Sequence, residues 1–199
     1  AKYDEYWAYE PPRANPVPSS GTDWSDHWID RFVFAKLSEK GMKPSSDADR
    51  ITLVRRLHFD LTGLPPHPDE VDSFIQDKRP LDQVVADRVD ALLDKPAFGE
   101  RMATYWLDLV RFASTVGYHG DQDHPAAPYR NYVIDSFNRD LPLDQFTKEQ
   151  LGGDLLENPT NEQLVATGYN RLLQTSHEGG IQRKEYLAIY AADRVRNVS

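Results

Sequence analysis

The 199-residue chain contains no cysteine. Without thiols its own residues can form no disulfide, no thiolate metal site and no cysteine nucleophile. Compartment stays open, because disulfide-free proteins occur everywhere. Long apolar runs are missing as well: no stretch approaches the roughly 18 uninterrupted apolar residues that suggest a membrane span. Basic residues are the minority, 23 Lys and Arg against 32 Asp and Glu, for a net charge of −9. Nucleic acid and anionic membranes are held by concentrated Lys/Arg faces, and none is visible, so neither is expected as a main partner. Alternating strand patterns and internal repeats are also lacking. The start, Ala1-Lys-Tyr-Asp, has no apolar leader, so any signal peptide is expected to have been removed or to lie in a larger precursor. The end, Asp193 to Ser199, shows no helix-stop signal, and a piece of a longer protein is expected.

What is present suffices for a sizeable core in one large or two small domains. Hydrophobic residues make up 39%, with 4 Trp, 10 Tyr and 8 Phe, which argues against disorder. Residues 1–25 carry Pro11, Pro12, Pro16 and Pro18, a Ser-Ser-Gly, and Tyr6 and Trp7. They read as an extended strap pinned to the domain by its aromatics, or as an interdomain linker.

From residue 26 apolar positions recur with a period of 3.6. Asp26 is a candidate N-cap, Trp28, Ile29, Phe32, Val33 and Leu37 form a stripe, and Gly41 is a stop. Pro44–Asp47 opens a second helix that ends at Gly63, and Asp69-Glu70 opens a third. Further helices are expected from Leu81 to Leu93, and near Gly99 to Phe112, the latter burying Met102, Tyr105, Trp106, Leu109 and Val110. Others follow at Tyr129–Phe137, Leu143–Leu151, after Asn161 or a Thr160/Gln163 capping box, and from Ile181 to Val195. The expected fold is an all-α domain over 26–199, of about nine short helices packed at mixed angles.

The densest chemistry lies in the loop between two of these helices, His119-Gly-Asp121-Gln-Asp123-His124. Carboxylates with flanking imidazoles suit a divalent metal, making His119, Asp121, Asp123 and His124 candidate ligands; the spacing is not that of an EF-hand. The alternative is a turn-forming loop in which Asp121 or Asp123 bonds backbone amides or Arg130. A second polar loop, His177-Glu178-Gly-Gly, offers one imidazole. Arg111 reads as a structural ion-pair partner of Asp121 or Asp135. His58 reads as packing, and Gly152-Gly153-Asp154 as helix caps without the spacing of a phosphate loop. Ser114, Ser136 and Ser176 lack a nucleophile-elbow context.

Several segments resemble a known family. Leu53-Val-Arg-Arg-Leu-His-Phe-Asp-Leu-Thr-Gly-Leu-Pro-Pro66, Tyr105-Trp-Leu-Asp-Leu-Val-Arg-Phe-Ala113, Tyr129–Asn138, Glu149–Leu156 and Ala166–Arg171 are similar to the cytochrome-associated domain of large planctomycete proteins. The likeness runs from about Trp28 to the end, although Gly152 stands where relatives often carry Ala. It implies a secreted or periplasmic multidomain parent, with a periplasmic or extracellular location. Relatives continue past the segment matching Asp193-Arg-Val into a Cys-x-x-Cys-His haem-attachment element, which these residues do not include. A haem c is therefore expected only in the longer parent. Tyr118, His119, His177 and Glu178 would line its pocket, and a redox or electron-transfer role would follow. Partners would be neighbouring domains and a redox partner. Two other readings stand beside this one: a non-catalytic scaffold or interaction domain, which could bind polysaccharide, and a metal-binding hydrolase.

Overall fold

Helices form where the 3.6-residue period runs, and they stop where Pro or a loop polar residue removes a donor or offers a competing one. A computed structural model describes residues 10–117, 121–173, 175–176 and 182–198. Among these lie nine α-helices: α1 (Trp28–Glu39), α2 (Arg50–Thr62), α3 (Pro68–Gln76), α4 (Leu81–Leu93), α5 (Pro96–Leu109), α6 (Ala127–Asn138), α7 (Leu143–Gly152), α8 (Asn161–Ala166) and α9 (Arg183–Val198). Short 3-10 turns at Gly153–Leu155 and Thr167–Arg171 follow α7 and α8. The all-α expectation holds.

The chain divides into two compact units, Ala1–Ala48 and Asp49–Ser199. In the first, the turn at 21–24 lies against α1, with the Trp24 and Phe34 ring centres 6.0 Å apart. Gly41 is the stop expected of it: the amides of Gly41 and Met42 close back on the carbonyls of Ser38 and Leu37. Tyr6 and Trp7 lie outside the described residues.

The second unit begins one turn later than Pro44–Asp47 suggested. Asp49 is the cap of α2, accepting from the Thr52 amide at 2.8 Å. His67 caps α3 in a box with Glu70, whose carboxylate accepts from the His67 amide at 2.9 Å. Around α2, α3 and α4, Val54, Phe74 and Val84 form a small apolar cluster. The larger core joins α5, α6, α7 and α8 through Ala103, Val110, Tyr129, Tyr132, Val133 and Phe146, with Ala166, Tyr169 and Leu172. Each such aromatic or branched side chain contributes about 1.5–3 kcal/mol by leaving water.

Helix α5 buries a narrower face than its apolar content suggests. Gly99, Ala103 and Val110 are buried, whereas Tyr105 and Leu109, expected inside, are 58% and 68% exposed. Small residues are needed on the packed face: a Cβ at Gly99 would run into Asn138 and the Ile134 carbonyl of α6. Tyr105 instead turns outward beneath the Arg101 guanidinium, 4.8 Å from the ring centre. The helix after Thr160 is also shorter than expected. It yields to the 3-10 turn at Thr167, which brings Leu172 into the core. Helix α9 has no buried residue, and Leu187 and Ile189 are exposed.

A polar network runs through this core. Glu149, only 4% exposed, accepts from Tyr132 Oη at 2.8 Å, and from Gln145 Nε2 and Gln163 Nε2 at 3.0 Å each. Burial works against its charge, but these donors outweigh burial and hold the carboxyl below its ordinary range. Beside it, Gln150 Oε1 accepts from Tyr129 Oη at 2.6 Å and Trp106 Nε1 at 3.0 Å. Gln163 acts twice, because its amide oxygen also accepts from the Thr160 amide in the capping box of α8. Gly153 stands where a Cβ would collide with the Gln163 carbonyl, so α7 and α8 approach closely there.

Two predictions follow from these contacts. Glu at 163 would keep the capping box but set a second carboxylate against Glu149. Gln163→Glu is therefore expected to lower the unfolding free energy by about 1.5–3 kcal/mol in urea titrations; unchanged stability would remove the network from its structural role. The second concerns acid. His58 is 2% exposed, its Nε2 has no hydrogen-bond partner among the described residues, and Glu70 Oε2 is 3.9 Å from its Nδ1. Burial holds its pKa below the ordinary value although Glu70 pulls the other way. The unfolded chain then binds that proton more readily, so stability is lost as pH falls below about 6.5. Glu70 is held at about 2: burial opposes its charge, but the His67 amide and the Lys95 ammonium prevail. Its contribution is complete above 4.5 and is lost as pH falls toward 2. Urea midpoints should decline in both windows, and His58→Leu should flatten the upper one. An unaltered upper slope in the variant would contradict this.

Candidate functional site

Two loops of the second unit carry the chemistry singled out above, and the backbone brings their described ends together. Helix α5 ends with the amides of Arg111 and Phe112 closing on the carbonyls of Asp108 and Leu107. This closure usually takes Gly at its left-handed position, yet Arg111 occupies it with φ +58°. A non-glycine residue there costs about 1–2 kcal/mol. The guanidinium offers a compensating contact, a two-pronged ion pair with Asp193 of α9 at 2.7 and 2.9 Å. The partner is thus Asp193, not Asp121 or Asp135. Tyr169 Oη, donating to the Asn197 carbonyl at 3.0 Å, and Arg194, donating to the Asn170 carbonyl at 3.1 Å, complete the tether of α9.

Past Arg111 the chain folds back on itself. The Val116 amide donates to the Gln122 carbonyl at 3.0 Å, and the His124 amide to the Ser114 carbonyl at 2.6 Å. Buried Val116 anchors this narrow turn. Asp121 Oδ1 accepts from the Gly117 amide at 2.8 Å, the backbone-bonding alternative to metal ligation. Asp121 and Asp123 are exposed and His124 is partly buried. Among the described residues no three of His, Asp and Glu gather as a metal-holding group. Tyr118, His119, His177 and Glu178 lie outside the described residues. Their described neighbours meet: Gly117 pairs with Thr175 in a parallel bridge, and the Thr175 amide donates to the Val116 carbonyl at 3.1 Å.

Two clefts that share a wall lie near these loops, and the bridge residues line the smaller of them. The larger, about 490 Å3, lies against Ala126, Tyr129, Val165 and Thr167, with Asp154 as the one acidic wall residue among the described residues. The smaller, about 270 Å3, is walled by Ala113, Val116, Gly117, Leu173 and Thr175, with Arg111. His124, Arg171 and Leu172 line both. Burial pushes the Tyr129 phenol well above its usual range, so it stays protonated as a donor to Gln150 and is not a base. The sequence pointed to His124. It missed Arg171, because a lone arginine after an apolar helix gives no signal until the 3-10 turn aims it at a cavity.

The model of the PSCyt2 family, described as a protein of unknown function (DUF1549), matches residues 28–199. The chain belongs to the PSCyt2 family. The cytochrome-associated resemblance is borne out to that extent. No curated protein and no solved structure matches the chain. The PSCyt2 match begins at the first residue of α1, so it takes in part of the first compact unit and all of the second.

The strained Arg111 generates a prediction. Arg111→Gly relieves the backbone but removes the ion pair from the tether, so hydrogen exchange is expected to quicken across 183–198 while α5 and α6 keep their protection. Unchanged exchange in α9 would show that the ion pair holds nothing.

Proposed function

We propose that this chain is the helical part of a c-type-haem-associated domain, with a redox or electron-transfer role in a longer periplasmic or extracellular parent. The observation that supports this most is the bridge Gly117–Thr175, which joins described residues flanking the two imidazole-bearing segments at the wall of the smaller cleft. The residues around them fit part of what a haem needs. Leu172, Val165 and Ala126 supply apolar wall, His124 an imidazole, and Arg171 a guanidinium suited to carboxylates. Thioether bonds would have to come from elsewhere in the parent, because this chain has no thiol. A haem there would supply one-electron transfer. The chain's own residues would exclude water from one side, hold a carboxylate at Arg171, and present His124 without any change in the buried network.

An interaction-domain reading has its own support. A recess of about 510 Å3 lies between Trp106, Phe137, Leu141 and Phe146, beside Leu143, which is 72% exposed. Apolar surface of this kind suits a neighbouring domain of the parent.

The parent protein, matured in a host that attaches haem c, distinguishes the two. The redox reading expects a Soret band and a reduction potential that shifts by roughly tens of millivolts in His124→Ala. A parent without a Soret band overturns it. In that case Leu143→Asp weakening the hold on a neighbouring domain would favour the interaction reading.

A further inference from the structure

The smaller cleft has an unusual charge for this chain. The protein carries −9 overall, yet among the described residues the cleft is walled by Arg111, Arg171 and His124 and by no carboxylate. Arg111 is already paired with Asp193. The Arg171 side chain makes no hydrogen bond or ion pair among the described residues, although it borders both cavities. Among other arginines of the same unit, Arg139 pairs with Glu162, Arg88 with Glu70, and Arg79 with Asp77 and Asp87, whereas Arg56 and Arg130 share with Arg171 the lack of such a partner among the described residues and line neither cleft. Between the polar groups the wall is apolar, through Val116, Leu172 and Leu173.

We propose that the smaller cleft is a binding site for a small organic carboxylate, with the carboxylate on Arg171 beside His124 and the apolar body against Val116 and Leu172. Three features converge on that ligand class. A guanidinium presents a planar fork that matches a carboxylate in two hydrogen bonds. An adjacent imidazole adds a further donor. A volume of about 270 Å3 accommodates a ring or branched chain but not an extended polymer. Asp154 lines only the larger cleft, so its charge faces a different cavity. The site is held by the Val116–Thr175 hydrogen bond, which joins its two loops at 3.1 Å. This inference rests on the clefts being the functional face, as above, but not on a haem.

The test uses the full 199-residue chain without haem, titrated with benzoate and, separately, with benzamide, while amide resonances are followed by NMR. Benzoate should shift Gly117, Thr175 and His124 to saturation with a Kd of about millimolar order, and benzamide should leave them in place. Arg171→Met, a change at an exposed side chain, should weaken benzoate at least about tenfold, and raised salt should weaken it in the unmutated chain. No saturating shift, equal response to benzamide, or an Arg171→Met variant that binds as before would each overturn the site. Such a failure would leave the haem reading intact, since that one is decided by the spectrum of the parent. Conversely, a parent without a Soret band would leave benzoate binding untouched.

Discussion

Glu149 keeps a charge inside the helical unit because Tyr132, Gln145 and Gln163 donate to it from three directions. Removing an ionised carboxylate from water is costly unless its oxygens are hydrogen-bonded, so the positions of these donors are fixed closely. They come from α6, α7 itself and α8, which are thereby held in one relation to each other. Gln150, the next residue on α7, does the same for Tyr129 and Trp106, and thus for α5. Two adjacent polar residues of one helix therefore set the places of four helices, where apolar packing alone would tolerate sliding.

What that frame positions is the pair of clefts. The start of the 114–124 turn follows directly from α5, and the 3-10 turn bearing Arg171 follows directly from α8. Asn170 donates to the Gln150 carbonyl at 3.1 Å, linking the Arg171 turn to the network. Strain is tolerated at Arg111 because its side chain, which glycine would lack, ties α9 to the same end of the molecule. A rigid polar core thus supports a rim made of turns, a common division of labour between scaffold and site.

Much of the fold was legible because its signals are local. The Leu81–Leu93 helix matches α4 at both ends, the Thr160/Gln163 box caps α8, and Gly41 stops α1. Misjudged features depend on partners distant in sequence. Tyr105 and Leu109 face solvent because α6 approaches the Gly99 face, and Arg111 pairs with a residue 82 positions away. The sequence shows loops rich in imidazoles and carboxylates, and of those candidates that are described His124 lines the clefts whereas Asp121 and Asp123 do not. That Gly117 and Thr175 pair, and that Arg171 joins His124 at one cavity, depends on long-range packing that no local pattern encodes. Glu149 and Gln150 were visible as letters in a family motif, but their burial was not.

The frame fastens two sequence-distant loops together beside the smaller cleft. Hydrogen exchange of the Thr175 amide is the decisive measurement, since it donates across to the Val116 carbonyl of the other loop and lies in no helix. Slow exchange there, lost when Gln163→Glu loosens the frame, is the expected result. Exchange at the rate of free amides in the unmutated chain would mean that the loops are not joined, and the account of the site would fail.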